Sequence, residues 1–218
     1  MKKSSDDKVA IFLFDRSGKM ALPFAEAGWH CLCIDINGNP GTDNFTSGGM
    51  IVREVHDIRR WKPHPSWVNA DFFAAFPPCD HLAVSGSRWM KGKGLRKLAD
   101  AIDLFAYSAE WAEWFNCPYI IENPVGTIST YWRKPDHSFN PYDYTAFELG
   151  DNYTKKTCLW TGGGFVMPAP KRDPEAGDPD DRIHKAPPGP DRANFRSVTP
   201  LGFARAVFEA NFGERKAA

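Results

Sequence analysis

Two short motifs in this sequence end in residues that could carry out covalent chemistry. In Phe76–Cys79, which reads Phe-Pro-Pro-Cys, an apolar run is closed by two prolines and a cysteine. Proline fixes φ and has no N–H, so the chain must leave a sheet there as a stiff turn that holds the thiol of Cys79 outward. In Tyr119–Pro124, a second apolar run ends in the carboxyl group of Glu122, an asparagine and a proline. The two motifs together offer one thiol and one carboxyl group.

A thiol and a carboxyl group held side by side suit attack on a pyrimidine ring. Cytosine C5 is a poor nucleophile until another nucleophile has added at C6. A thiolate can add there when an acid holds or protonates N3, and the resulting enamine can attack an electrophilic methyl group. In this interpretation Cys79 is the nucleophile and Glu122 is its acid partner. The alternative for Cys79 is a structural thiol, because free cysteines are commonly buried.

Several further strands are needed to place the two motifs at one sheet edge. The continuous apolar run Val9–Phe14 is typical of a strand covered on both faces by helices, and Trp29–Ile36 and Met50–Val55 are predicted to form the second and third strands. A turn containing Gly18 follows the first run, and Asp35 lies at the end of the second. This series matches the first half of a nucleotide-binding α/β unit, in which the acid binds ribose hydroxyls. Because the turn has one glycine, an ordinary βαβ unit is the alternative.

The remaining patterns indicate helices and loops around this sheet. Leu95–Phe115 has apolar residues at spacings of three and four and predicts a helix. The glycine-rich, basic segment His81–Lys93 predicts an active-site loop. Tyr131–Tyr142 mixes aromatic and basic residues, as either a base-stacking surface or an ordinary aromatic-pinned loop would. Thr154–Trp160 predicts a strand, and Thr199–Phe212 predicts a final helix with threonine as N-cap and proline at its first position.

Composition excludes several classes of protein. The 218 residues include 27 basic and 27 acidic side chains, so no global field draws the chain to nucleic acid or to a membrane. The length suits one domain. Five cysteines without a CxxC pair predict neither a disulfide framework nor a metal site. No apolar run approaches the roughly 18 residues of a membrane span, and Met1–Lys8 has no apolar segment. We therefore expect a cytoplasmic protein without a membrane partner.

At these motifs the sequence resembles the DNA cytosine-5 methyltransferases that use S-adenosylmethionine. Phe76–Cys79 matches their catalytic Pro-Pro-Cys motif, and Glu122–Asn123 matches the Glu-Asn motif whose Glu holds the cytosine edge. Phe14–Gly18 looks like their cofactor loop, Asp35 like the ribose acid, and Asp57–Ile58 like the pair beside adenine. The chain is more similar still to short methyltransferase-like proteins of bacteriophages. That likeness also covers Lys155–Trp160 and Arg196–Ala204.

The motifs and the resemblance together predict three sets of site residues. The catalytic set is Cys79, Glu122, Asn123 and Pro78. The set that binds S-adenosylmethionine is Asp15, Ser17, Gly18, Asp35, Ile36, Asp57 and Ile58. The set that binds DNA, or another cytosine-containing acceptor, is Ser85, Arg88, Lys91, Lys93, Lys155 and Lys156. No metal is expected.

Three departures from the family leave alternatives open. The cofactor loop lacks the extra glycines of typical members, the chain has no Gln-x-Arg-x-Arg motif, and residues 126–194 are fewer than a usual target-recognition domain. A methyltransferase acting on RNA or on a free pyrimidine nucleotide is therefore an alternative, as is a non-catalytic nucleic-acid-binding relative. An amino-methyltransferase fits less well, because its Pro-Pro motif begins with a hydrogen-bond acceptor and Phe76 has none.

The predicted fold class is α/β, with a doubly wound, mostly parallel sheet. The resemblance implies the Rossmann-like methyltransferase version of that fold. Residues 1–125 are predicted to form the cofactor-binding and catalytic core. Residues 126–195 are predicted to form a small irregular appendage facing the substrate, and residues 196–218 a C-terminal helix that returns to the core.

Overall fold

The computed structural model describes residues 8–84, 92, 94–187, 189 and 192–213. In this part of the chain, eight strands form one mixed sheet. The strands are β1 (Val9–Leu13), β2 (His30–Ile34), β3 (Gly41–Asn44), β4 (Met50–Glu54), β5 (Phe72–Ala75), β6 (Tyr119–Pro124), β7 (His137–Phe139) and β8 (Thr157–Gly162). The helices are α1 (Leu22–Glu26), α2 (Leu95–Phe115), α3 (Ile128–Tyr131), α4 (Arg182–Lys185), α5 (Arg192–Ser197) and α6 (Leu201–Phe212). None of the helices in these ranges combines the length and the apolar character that crossing a membrane requires.

The order of strands across the sheet is β3-β4-β2-β1-β5-β6-β8-β7. The five strands β4, β2, β1, β5 and β6 run parallel, whereas β3, β8 and β7 each pair antiparallel with the strand beside them. The predicted α/β class with a mostly parallel sheet is therefore confirmed. The order reverses at β1, with β2 on one side and β5 on the other, and open α/β sheets bind ligands at such a reversal.

Helices cover both faces of this sheet. Along β1, Phe12 faces the side on which α1 and α6 pack, and its neighbours Ile11 and Leu13 face the side on which α2 packs. Successive residues of a strand point to opposite faces, so a strand covered on both sides must be apolar throughout. This explains why β1 is buried at all five positions.

The region of residues 126–195 is less irregular than the sequence predicts. It contributes β7 and β8 to the sheet, and β8 pairs with β6 so that Leu159 lies opposite Glu122. The prediction of an irregular region is wrong for β7, whereas β8 confirms the strand predicted at Thr154–Trp160. A three-residue strand such as β7 carries no readable period, and its pairing depends on residues distant in sequence. Residues 163–181 do lack helices and strands.

The start of helix α6 also differs from the prediction by one residue. Pro200, not Thr199, is the N-cap, and no N-cap side chain makes a capping hydrogen bond. The carboxylate of Asp151 takes that role instead, because its Oδ2 accepts a hydrogen bond of 2.7 Å from the N–H of Gly202. A distant carboxylate satisfies one of the free N–H groups at a helix N-terminus, which local sequence cannot reveal.

Phe24 of α1 lies at the centre of the aromatic core. Its ring centroid is 4.8 Å from that of Phe72 on β5, 5.4 Å from that of Phe12 on β1 and 5.0 Å from that of Phe208 on α6. Trp29 is within 5.3 Å as well. One side chain therefore joins two strands and two helices, and α6 packs against the core through it.

We expect Phe24→Ala to lower the free energy of unfolding by about 3–5 kcal/mol, the usual cost of removing a buried phenylalanine ring. The matched control is Phe195→Ala, because Phe195 is 47 % exposed. That change should cost less than about 0.5 kcal/mol. Urea denaturation followed by circular dichroism measures both values. Similar losses in the two variants would contradict the central place of Phe24.

Candidate active site

Hydrogen bonds join the segment after β5 to the end of β6 and to the segment that follows β6. The side-chain Nδ2 of Asn123 donates to the carbonyl of Pro77 at 2.9 Å. Further along, the N–H of Thr127 donates to the carbonyl of Leu82 at 3.0 Å. The N–H of Val84 donates to the carbonyl of Val125, also at 3.0 Å. Because β5 and β6 are parallel neighbours, their carboxyl ends already lie at one edge. These bonds fix the two motif loops relative to each other.

Gly126 allows this close approach. A Cβ atom at position 126 would lie 2.1 Å from the carbonyl oxygen of Leu82 and 2.8 Å from its carbonyl carbon. Any side chain would therefore push the two backbones apart. The sequence analysis did not identify Gly126, although a glycine two residues after the Asn-Pro pair is a signal for close backbone contact.

Cys79 lies in the turn that follows β5. Its carbonyl accepts hydrogen bonds from the N–H groups of Leu82 (2.9 Å) and Ala83 (3.0 Å), so the chain turns directly after it. The thiol is free and partly exposed. The other four thiols are free and buried: Cys31, Cys33, Cys117 and Cys158. Cys79 is therefore the most accessible thiol of the five.

Several charged residues near Cys79 shift the pKa of its thiol, and two of them, Glu122 and Lys155, are predicted site residues. Burial raises the pKa of the Cys79 thiol to about 11, and the negative charges of Glu122 and Asp80 add to this rise. The positive charges of Lys155 and Arg196 act in the opposite direction. The Cys79 thiol is thus protonated near neutral pH. Only a thiolate is a good nucleophile, so the Cys79 thiol must lose its proton before it can react.

Glu122 has the property that an acid partner requires. Burial raises the pKa of its carboxyl group, while the positive charge of Lys155 and the nearby hydroxyl of Thr157 act against the rise. A carboxyl group whose pKa is raised can hold a proton closer to neutral pH and deliver it to a ring nitrogen. Protonation of Glu122 would also remove a negative charge that keeps the thiol protonated.

A cleft lies beside Glu122. Its walls are Phe76, Glu122, Phe139, Lys155, Ser197, Thr199, Pro200 and Phe203. Half of these side chains are apolar, and the others carry one carboxyl group, one ammonium group and two hydroxyl groups. Apolar walls with a few converging polar groups are typical of small-molecule sites, and the volume of this cleft, about 10 Å³, holds about one water molecule.

Lys155 and Lys156, both predicted to bind substrate, lie in different surroundings. Lys155 is part of the cleft with Glu122. Lys156 is exposed, and its positive charge acts to lower the pKa of the buried Cys158 thiol. Four other predicted substrate residues lie outside the described part of the chain: Ser85, Arg88, Lys91 and Lys93.

Asp15 organises the loop after β1. Its Oδ1 accepts hydrogen bonds from the Ser17 hydroxyl (2.8 Å) and the Gly18 N–H (2.9 Å), and its Oδ2 accepts one from the Met20 N–H (3.0 Å). The side chain is buried, and burial raises its pKa. Gly18 has φ of 69°, which favours glycine, and a Cβ there would lie 2.9 Å from Arg53. Asp15 therefore supports this loop from inside.

The other predicted cofactor residues divide into two groups. Asp35 is half-buried, with Oδ1 accepting from the N–H of Asn37 at 2.7 Å, and the next residue, Ile36, is 56 % exposed. Asp57 instead forms a two-point pair with Arg59, which lowers its pKa. Ile58 is buried in the core. Asp35 and Ile36 thus place a carboxylate and an exposed apolar side chain at the sheet edge, and cofactor contact by all four residues stays a prediction.

The chain matches no protein-family model and no curated protein sequence. Its function must therefore be inferred from the residues and geometry of this site.

We expect Gly126→Ala to separate the two motif loops, because the new methyl group meets the Leu82 carbonyl. Forcing a methyl group into a packed position should lower the free energy of unfolding by about 1–3 kcal/mol. The control is Gly41→Ala, where a Cβ would meet nothing within 4 Å. Urea denaturation measures stability, and the rate of Cys79 alkylation should increase in Gly126→Ala alone. Unchanged stability and alkylation would show that the loops do not need this contact.

Proposed function

We propose that this chain transfers a methyl group from S-adenosylmethionine to C5 of cytosine, with DNA as the acceptor. One observation carries the proposal: Cys79 and Glu122 lie at the ends of neighbouring parallel strands, and the bond from Asn123 to Pro77 ties their two loops together. This arrangement offers a nucleophile and an acid to one ring at the same time. Pro78 contributes by stiffening the turn that carries the thiol.

The proposed chemistry begins with addition of the Cys79 thiolate to C6 of the ring. The sulfur lone pair forms the S–C6 bond, the C5–C6 π electrons become a C4–C5 double bond, and the C4–N3 π electrons move to N3, which takes the proton of Glu122. C5 becomes electron-rich in this enamine and can accept an electrophilic methyl group. The methyl group would come to C5 with cleavage of its bond to the sulfonium sulfur, which would leave as a thioether. Loss of the C5 proton to solvent then restores the C5–C6 double bond and expels the thiolate, and N3 returns its proton to Glu122. S-adenosylmethionine supplies the electrophilic methyl group when it is bound.

The loop after β1 favours this cofactor over a dinucleotide. Dinucleotide-binding loops use free backbone N–H groups to hold a pyrophosphate. Here Asp15 already accepts hydrogen bonds from the N–H groups of Gly18 and Met20. S-adenosylmethionine has no phosphate and does not need these groups. Asp35 would bind the ribose hydroxyls, and Ile36 would pack against the adenine ring.

The order of the strands supports the same proposal at the level of the fold. The parallel strands β4-β2-β1-β5-β6 have the 3-2-1-4-5 order of the Rossmann-like doubly wound sheet, with helices on both faces. Asp35 follows β2 and Cys79 follows β5, so the cofactor residues and the thiol lie on opposite sides of the reversal at β1. A methyl donor and an acceptor ring need to meet at such a point.

We expect an acceptor that contains 5-fluorocytosine to form a covalent complex with Cys79 in the presence of S-adenosylmethionine. Fluorine cannot leave C5 as a proton does, so the thiolate stays attached and the complex survives denaturing electrophoresis. Cys79→Ser should abolish the complex, and Glu122→Gln should slow its formation by about 10²–10⁴-fold, as for a lost proton-transfer partner. The readout is electrophoresis with mass spectrometry of the modified peptide.

Controls for this experiment use two buried thiols and three acceptors. Cys31→Ser and Cys117→Ser should leave the complex unchanged. An oligonucleotide, an RNA and a free nucleotide that each carry 5-fluorocytosine distinguish the alternative acceptors. A complex that forms equally well with Cys79→Ser would refute the assignment of the nucleophile. If no acceptor forms a complex, but an oligonucleotide still binds, the chain is a non-catalytic relative.

We expect S-adenosylhomocysteine to bind in calorimetry and Asp35→Ala to weaken that binding by about tenfold or more, since the variant leaves ribose hydroxyl groups without their acceptor. Asp178→Ala is the control, because Asp178 is exposed and lies far along the chain from this edge. Absence of heat at millimolar ligand would contradict the choice of cofactor.

A further inference from the structure

Lys155 is held in place by its own backbone. Its N–H donates to Oδ1 of Asn140 at 3.2 Å, and its carbonyl accepts a hydrogen bond of 2.9 Å from the Thr157 hydroxyl. Asn140 is fixed in turn, because its N–H donates to the carboxylate of Asp143 in a capping box. The Lys155 side chain can therefore vary only in its own torsions, and it lines the cleft with Glu122.

The ammonium group of Lys155 also has no ionic partner in the described ranges. Ion pairs occupy other cations of the chain: Lys8, Arg53, Arg59, Arg133, Arg182, Lys185 and Arg205. Lys155 is partly buried without such a pair. No described carboxylate neutralises its charge at contact distance. This charge lowers the pKa of both Cys79 and Glu122.

Among the described residues, four charged groups shift the pKa of the Cys79 thiol. Glu122 and Asp80 are negative, while Lys155 and Arg196 are positive. Among the positive groups, Lys155 has the larger effect on Cys79, and it is also the charge that opposes the raised pKa of Glu122. Among the described cations, Lys155 is therefore the one that lowers the pKa of both Cys79 and Glu122.

We propose that Lys155 is a positioning residue that stabilises the single negative charge shared by Cys79 and Glu122. This inference rests on the proposed function. The pair can hold one proton in two ways, as a thiol with a carboxylate or as a thiolate with a carboxylic acid. Only the second form can add to a ring and protonate N3, and both forms carry one negative charge. The cation lets the pair keep this charge, so that the proton can pass from the thiol to the carboxylate without a second proton entering the site.

Removal of Lys155 has a defined consequence for protonation. Without the nearby positive charge, the pair takes up its second proton at a higher pH, and the thiolate becomes less populated at any pH below its pKa. The two groups titrate together, so the effect appears in the reactivity of the thiol. Alkylation detects it without any cofactor or acceptor, because only the thiolate reacts.

The test is the rate of Cys79 alkylation by iodoacetamide between about pH 7.5 and pH 9.5, measured by peptide mass spectrometry without nucleic acid. We expect Lys155→Met to slow the reaction by about three- to tenfold, because a smaller thiolate fraction is only partly offset by greater thiolate nucleophilicity. Lys155→Gln should act in the same direction, and Lys155→Arg should restore the rate. The neighbouring Lys156→Met is the matched control and should react like the wild type.

Equal alkylation rates in Lys155→Met and the wild type would overturn the proposal. So would an equal loss in Lys156→Met, because a general loss of positive charge would then explain the effect. The proposed function fails separately: if no acceptor forms a covalent complex although alkylation still depends on Lys155, the methyl-transfer assignment is wrong and the coupling of Lys155 to Cys79 stands.

Discussion

The bond from the Asn123 amide to the Pro77 carbonyl is the interaction on which the candidate site depends. Pro77 and Pro78 have no N–H, so this segment cannot continue the ladder of hydrogen bonds along β5. Its carbonyl needs a donor from elsewhere, and Asn123, which is 1 % exposed, supplies it. Neither a leucine nor an aspartate could replace this amide, since one has no donor and the other would bring a buried charge. The positions of Cys79 and Glu122 therefore depend on one buried side chain.

The same amide carries a cost that the rest of the fold offsets. Its Oδ1 is buried and has no hydrogen-bond partner in the described residues. A buried acceptor without a donor costs about 1–3 kcal/mol. The surrounding core compensates, because β5 and β6 are buried on both faces and α2 packs across them. A polar group that is incompletely satisfied beside a thiol and a carboxyl group is a common feature of sites that act on ligands.

The features that the sequence predicts correctly depend on residues that lie close together along the chain. Helix α2 has the predicted bounds, Leu95–Phe115, because its apolar spacing is local. Both reactive residues follow apolar runs that do form adjacent strands. By contrast, the approach of Gly126 to Leu82, the helix cap by Asp151 and the charge of Lys155 beside Glu122 all join residues more than thirty positions apart. No local pattern encodes such contacts.

Phe14 introduces backbone strain at the edge of the sheet where β1 ends. Phe14 has φ of 62°, a left-handed conformation that costs an ordinary residue about 1–2 kcal/mol. Its N–H nevertheless donates to the Ile34 carbonyl at 2.7 Å, which continues the pairing of β1 with β2 for one more residue. The sharp turn that follows carries Asp15 into the interior, where its carboxylate gathers the N–H groups of the loop. A glycine at position 14 would adopt this turn without strain but would lose the ring that packs against the α2 side of the core. The strained phenylalanine therefore connects the loop at the reversal of strand order to the core.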